Sequence, residues 1–149
     1  IRGILFRKKA VPNDSMIPWV TYTDPELGHV GMTEDEAREK YGTIKVLRWP
    51  YHENDRAQAE RKTTGLIKMV TNKKGLILGV SIVGLGAGEM MNMWALAITN
   101  KMKVGDVVGY VSPYPTLSEI GKRAAVTNYT SLAKKPMIRS LIKFLQKFG

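Results

Sequence analysis

Val111-Ser112-Pro113-Tyr114-Pro115-Thr116-Leu117-Ser118-Glu119 is the stretch from which the rest of this 149-residue chain can be read. Each proline lacks an N–H and biases the residue before it toward extended backbone, so Ser112 to Tyr114 form no helix interior. Thr116 followed three positions later by Glu119 fits a capping box, whose reciprocal hydrogen bonds satisfy N–H groups at a helix start. The spacing predicts a helix over 117–128 and holds Tyr114 on a stiff corner just outside it. Taken alone, the same pattern also describes a plain loop-to-helix junction.

Downstream lies an unusual segment, Pro136–Phe148. Met137, Ile138, Leu141, Ile142, Leu145 and Phe148 recur at helical spacing, with Arg139, Lys143 and Lys147 on another face four residues apart. A basic amphipathic helix of this kind can lie on anionic membranes or dock on a partner. The expectation is that it packs onto its own protein, and membrane contact by 136–149 is not expected.

Upstream, Ile17–Tyr22 is β-branched and aromatic and reads as a strand, with Asp24-Pro25 as a turn. Thr33 and Glu36 form a second capping box before a short helix over Asp35–Tyr41, which Gly42 stops. A strand over Thr43–Trp49 ends at Pro50. Residues 65–71 and 76–83 read as a hairpin turning at Asn72-Lys73-Lys74-Gly75. The helix predicted over Ala87–Thr99 is apolar nearly all round, so it belongs in a core or a subunit interface. Together these elements predict an α+β fold, an antiparallel β-sheet flanked by helices.

Three tempting sites fail on chemistry. Gly84-Leu85-Gly86-Ala87-Gly88-Glu89 looks like a dinucleotide loop, but Glu89 stands where a third glycine is needed and the preceding strand belongs to an antiparallel hairpin. His52 and Glu53 are sequence neighbours whose side chains point apart on an extended chain, and 51–61 reads as a solvated loop leading into a turn around Arg56-Ala57. His29 has no companion ligand at metal spacing, so no metal site is expected.

Composition narrows the classes. Apolar residues make up 44%, enough for one sizeable core, and no run is long enough to cross a bilayer. The absence of cysteine excludes disulfides and thiol-based redox or metal sites from this chain and is compatible with a reducing cytoplasm. Lys and Arg number 23 against 13 acids, a net charge of +10. The bases are dispersed and no nucleic-acid signature accompanies them, so nucleic acid is not expected as a partner.

The corner also resembles the C-terminal signature His-X-His-Pro-Thr-X-Ser-Glu of the FAD-dependent pyridine nucleotide-disulfide oxidoreductases, which include dihydrolipoyl dehydrogenase, glutathione reductase and mercuric reductase. Pro115, Thr116, Ser118 and Glu119 match it, while Ser112 and Tyr114 replace the histidines. Thr23-Asp24-Pro25-Glu26-Leu27 with Val30-Gly31-Met32-Thr33-Glu34 resembles a second family block. Ile77-Leu78-Gly79-Val80, Val83-Gly84 and Ala87-Gly88-Glu89 resemble a third. Three blocks in family order, over roughly Ile17 to Ala125, are specific together.

The resemblance implies the family's C-terminal dimerisation domain, with residues 1–16 ending an upstream segment, 17–130 forming the interface domain and 131–149 the basic helix. A chain that opens on Ile1 rather than Met fits missing upstream residues. The implied partners are a second copy and the upstream FAD and NAD(P) domains of the same polypeptide. FAD and NAD(P) serve the full-length enzyme, none is expected bound in this fragment, and the fragment alone is not expected to be active. Tyr114 and Glu119 are the implied catalytic residues, Pro115 and Thr116 the implied cofactor-binding ones, and the Tyr114–Pro115 bond is expected to be cis.

A histidine near pKa ~6.5 shuttles protons at neutral pH, whereas a phenol near ~10 stays protonated and makes a poor base. The dihydrolipoyl dehydrogenase and glutathione reductase reactions are therefore not expected. A tyrosine here is similar to mercuric reductases, although those usually end in a cysteine pair and this chain ends Gln146-Lys147-Phe148-Gly149. The implied parent is a mercuric reductase-like flavoenzyme of unassigned substrate. The alternatives are a stand-alone oligomerisation or scaffold module without catalysis and a basic surface binder with steep salt dependence.

Overall fold

The computed structural model describes residues 16–133 and 136–147. The expected upstream element over 1–9 and the end of the C-terminal pattern at Phe148 lie outside them. Among the described residues five strands, β1 (Trp19–Thr21), β2 (Leu27–Gly31), β3 (Ile44–Pro50), β4 (Leu66–Asn72) and β5 (Ile77–Val83), form one sheet in the order β1-β2-β5-β4-β3. Every neighbouring pair is antiparallel, with β4 and β5 joined by the predicted hairpin. At its turn, Asn72 Oδ1 accepts from the N–H groups of Lys74 and Leu76.

The α-helices of the described residues are α1 (Glu34–Tyr41), α2 (Asp55–Ala59), α3 (Ala87–Thr99), α4 (Val104–Gly109), α5 (Glu119–Ala133) and α6 (Pro136–Leu145). One sheet face is covered by α3, which lies on β1, β2 and β5, and by α5, which lies on β3 and β4. Their shared core joins Val30, Leu47, Ile67, Met69, Val80 and Ile82 of the sheet to Met91, Trp94, Ile120 and Ala124 of the helices. Successive strand residues point to opposite faces. Val70, next to Met69, thus packs on the other side, with Ala37 of α1 and Leu78.

Gly121 explains how closely α5 meets α3. A Cβ there would lie 2.2 Å from Trp94 Cζ2, so only glycine admits the buried indole. Gly84 does the same for Tyr51, whose ring would lie 2.2 Å from an added Cβ, at a φ of +151° that side chains rarely adopt.

The structure departs from the sequence reading at several places. Residues 51–61 are not a solvated loop: Tyr51–Glu53 is a 3-10 turn followed by α2, with Tyr51 and Ala57 fully buried. The signal was present, since Asn54 is a good N-cap: its Oδ1 accepts from Ala57 N–H at 2.9 Å. Residues 104–109, to which no element is assigned above, form α4, where the Asp106 carboxylate accepts from Lys103 N–H at 2.7 Å. The stripe of α6 is not wholly buried on its own protein, because Met137, Ile142 and Leu145 stay exposed.

Candidate functional site

The corner between α4 and α5 projects Tyr114 into solvent, with 68% of the residue exposed. The Tyr114–Pro115 bond is cis, as expected, and so is Asp24–Pro25. The corner is pinned at three points. At its start, Lys122 Nζ donates to the Tyr110 carbonyl at 2.6 Å and sits over the Tyr110 ring. At its middle, the Tyr114 hydroxyl donates to Asp55 Oδ2 at 2.8 Å. At its exit, Asn54 Nδ2 donates to the Thr116 carbonyl at 3.0 Å.

Asn54 is the buried centre of this arrangement, with 3% of its surface exposed. One side-chain atom caps α2 and the other holds the corner, so its amide is satisfied at both ends. The sequence reading missed both Asn54 and Asp55.

The α5 start differs from the expected capping box. Thr116 Oγ1 donates back to the Pro113 carbonyl at 2.9 Å and shares a 3.1 Å contact with Ser118 Oγ. Glu119 opens the helix and accepts from Arg123 Nε one turn later, at 3.2 Å. Thr116 therefore tightens the corner internally. A carboxylate in the first turn also complements the helix dipole.

The hydrogen bond to Asp55, reinforced by that carboxylate's charge, raises the Tyr114 pKa above the ordinary phenol value. Desolvation and the charge of Glu119 add smaller shifts in the same direction, while Arg123 opposes them. The phenol is thus protonated at neutral pH, its proton committed to Asp55, with oxygen lone pairs available to accept. Beside it, Ser112 Oγ is buried and has no hydrogen-bond partner among the described residues.

The rejected sites remain structural. Glu26 Oε2 accepts from Gly88 N–H at 2.8 Å, and the Glu26 carbonyl accepts from Gly84 N–H at 2.9 Å. The α3 N-terminus is thereby filled by the chain's own carboxylate, where a phosphate would have to sit. His29 is buried, with Nδ1 2.9 Å from Ser81 Oγ and Nε2 3.0 Å from the Gly31 carbonyl. His52 and Glu53 are exposed and 4.0 Å apart at the surface. Among the described residues no three His, Asp or Glu side chains gather at metal-binding range. No helix of the described residues is long and apolar enough to cross a membrane.

Residues 17–125 match the family described as pyridine nucleotide-disulphide oxidoreductase, dimerisation domain. The chain is 37% identical over 110 residues to the dihydrolipoyl dehydrogenase of Bacillus subtilis (strain 168), covering 73% of this chain and 23% of that protein. It is 38% identical over 114 residues to the mercuric reductase of Lysinibacillus sphaericus, covering 76% of this chain and 21% of that one. Among solved structures, LpdA from Mycobacterium tuberculosis superposes with a TM-score of 0.78 at 21% identity, over 85% of this chain and 28% of that chain. The HOCl-induced flavoprotein disulfide reductase RclA from Escherichia coli gives 0.75 at 25% identity, over 84% and 29%. The chain thus spans less than a quarter of the length of these two sequence relatives.

Proposed function

The chain belongs to the pyridine nucleotide-disulphide oxidoreductase dimerisation-domain family, and on that premise we propose that it forms the two-fold interface of a cytoplasmic, flavin-dependent NAD(P)H oxidoreductase of mercuric reductase-like type and carries Tyr114 into the second subunit's active site. The single observation that carries this reading is the exposed phenol held by Asp55 on a corner fixed at both ends. A side chain left in solvent has little reason to be braced so firmly unless its position matters.

The occupant of the surface beside the corner is a second copy. Met93, Leu96, Ala97, Met102, Val107 and Tyr110 line an apolar hollow of about 240 Å³ on α3 and α4, and Leu96 is exposed. Tyr110 is shared by this hollow and the corner, so covering one brings the other against the same partner. The unsatisfied Ser112 hydroxyl fits completion by a group from another domain or subunit.

FAD and NAD(P) would be held by the remaining domains of the polypeptide. When bound, the flavin supplies electron and hydride transfer. Tyr114 offers a protonated phenol that donates to Asp55 and presents its oxygen lone pairs to the substrate as a hydrogen-bond acceptor. Glu119 holds Arg123 and adds a small upward push to the phenol's pKa, after the larger one from Asp55. Pro115 and Thr116 contribute surface toward the flavin, since the Thr116 hydroxyl and carbonyl are already engaged.

The test is Tyr114→Phe in the full-length dimer, with NAD(P)H-dependent turnover of disulfide and metal–thiolate substrates as the readout. Turnover should fall by about 10²-fold with flavin content and dimerisation intact. Unchanged rates on every substrate would remove Tyr114 from the reaction.

A further inference from the structure

We propose that α6 docks on the surface of an anionic lipid bilayer, with its apolar face in the headgroup boundary. The inference rests on the C-terminal helix and stands apart from the reading of Tyr114.

At 3.6 residues per turn, Met137, Ile138, Ile142 and Leu145 share one broad stripe of α6. Met137, Ile142 and Leu145 are 77%, 45% and 57% exposed, so these three positions of the stripe are uncovered. In the sequence, Arg139 and Lys143 recur four residues apart outside this set of apolar positions, Lys147 follows the end of the helix, and Lys134 and Lys135 precede Pro136. No acidic residue follows Glu119 in the chain.

Charge selects the occupant. A second copy of α6 would bring an equally basic, acid-free helix alongside, and like charges oppose that pairing. An anionic bilayer accepts both halves of the pattern, taking apolar side chains into the boundary and attracting the bases. The helix lies on the membrane and does not span it: its 10 residues reach about 15 Å, against about 30 Å of hydrocarbon. The short apolar face makes binding reversible and dependent on the charge.

The experiment is flotation of the full-length enzyme with vesicles of pure phosphatidylcholine or of phosphatidylcholine with phosphatidylglycerol. Co-flotation is expected with the anionic vesicles alone, and it should be lost near 1 M salt, where the screening length falls to about 3 Å. Ile142→Gln/Leu145→Gln, at two exposed positions, should abolish it. Lys147→Gln should weaken it roughly five-fold. Failure to float with anionic vesicles would overturn the proposal and leave a protein surface as the cover of this face. Equal flotation with neutral vesicles, or binding retained by the double variant, would overturn it as well.

Discussion

The Tyr114 hydroxyl donates a 2.8 Å hydrogen bond to Asp55 Oδ2 across 59 residues of sequence. The bond joins the exposed corner before α5 to the first turn of α2, a short helix that buries Ala57 in the core. Asp55 is thus a positioning residue with an electrostatic side effect. It orients the phenol and holds its pKa above the ordinary value.

Replacing Asp55 by Asn keeps the shape and removes the charge. The carboxylate favours the protonated phenol by accepting its proton and repelling the phenolate, so its loss should lower the Tyr114 pKa toward the ordinary ~10. An alkaline NMR titration of ¹³Cζ-labelled tyrosine, with Tyr114→Phe to assign the signal, reads this directly. An identical midpoint in Asp55→Asn would mean that the bond is not populated in solution.

Asn54→Ala should be among the most damaging polar substitutions in the chain. It removes the α2 cap, worth about 1 kcal/mol, and leaves the Thr116 carbonyl without its partner, a further ~1–3 kcal/mol. Urea denaturation should show a loss of about 2–4 kcal/mol. A loss below 1 kcal/mol would show that neither contact matters to stability.

Gly121→Ala sets two effects against each other. Alanine favours a helix interior by up to ~1 kcal/mol over glycine. The added Cβ, however, would lie 2.2 Å from the buried Trp94 ring, and overpacking of this kind costs about 1–3 kcal/mol. The clash should win, lowering the denaturation midpoint and altering the near-ultraviolet signal of Trp94. A more stable variant would mean that α5 shifts freely over α3.

The capping box at α1 predicts a pH dependence. Thr33 N–H and Oγ1 both donate to the Glu36 carboxylate, which holds its pKa below the ordinary value of 4.5. A depressed folded pKa gives stability that is present above pH 4.5 and lost as pH falls through the folded value. Thr33→Ala should therefore reduce stability at pH 7, and the gap from the parent should narrow below pH 4. A gap that stays constant across this range would dissociate the carboxylate from the effect.

Local signals made much of the fold legible. Proline and glycine marked the turns, and the Thr33/Glu36 box formed as read. The apolar run over 87–99 formed α3 over the range read from it. The Thr116/Glu119 pair carries the same letters, yet its hydroxyl turned back to Pro113 and its carboxylate forward to Arg123. Two prolines had already bent the chain, which put a carbonyl nearer to the hydroxyl than the helix N–H groups. Residues 51–61 misled for the opposite reason. Their polar composition hid Tyr51, Asn54 and Ala57, three inward-facing residues spaced three apart.

The sequence by itself determined the strands β1, β3, β4 and β5, the helices α1, α3 and α5, where the chain turns, and that Tyr114 stands on a corner before a helix. Those outcomes rest on steric limits, missing N–H groups and side-chain alternation, all of which act over a few neighbouring residues. Only the tertiary structure decided that Asp55, Asn54 and Lys122 are the groups that hold the corner. Their meeting depends on strand order and on how α2 and α5 settle over the sheet, and no short-range rule carries that information across the chain.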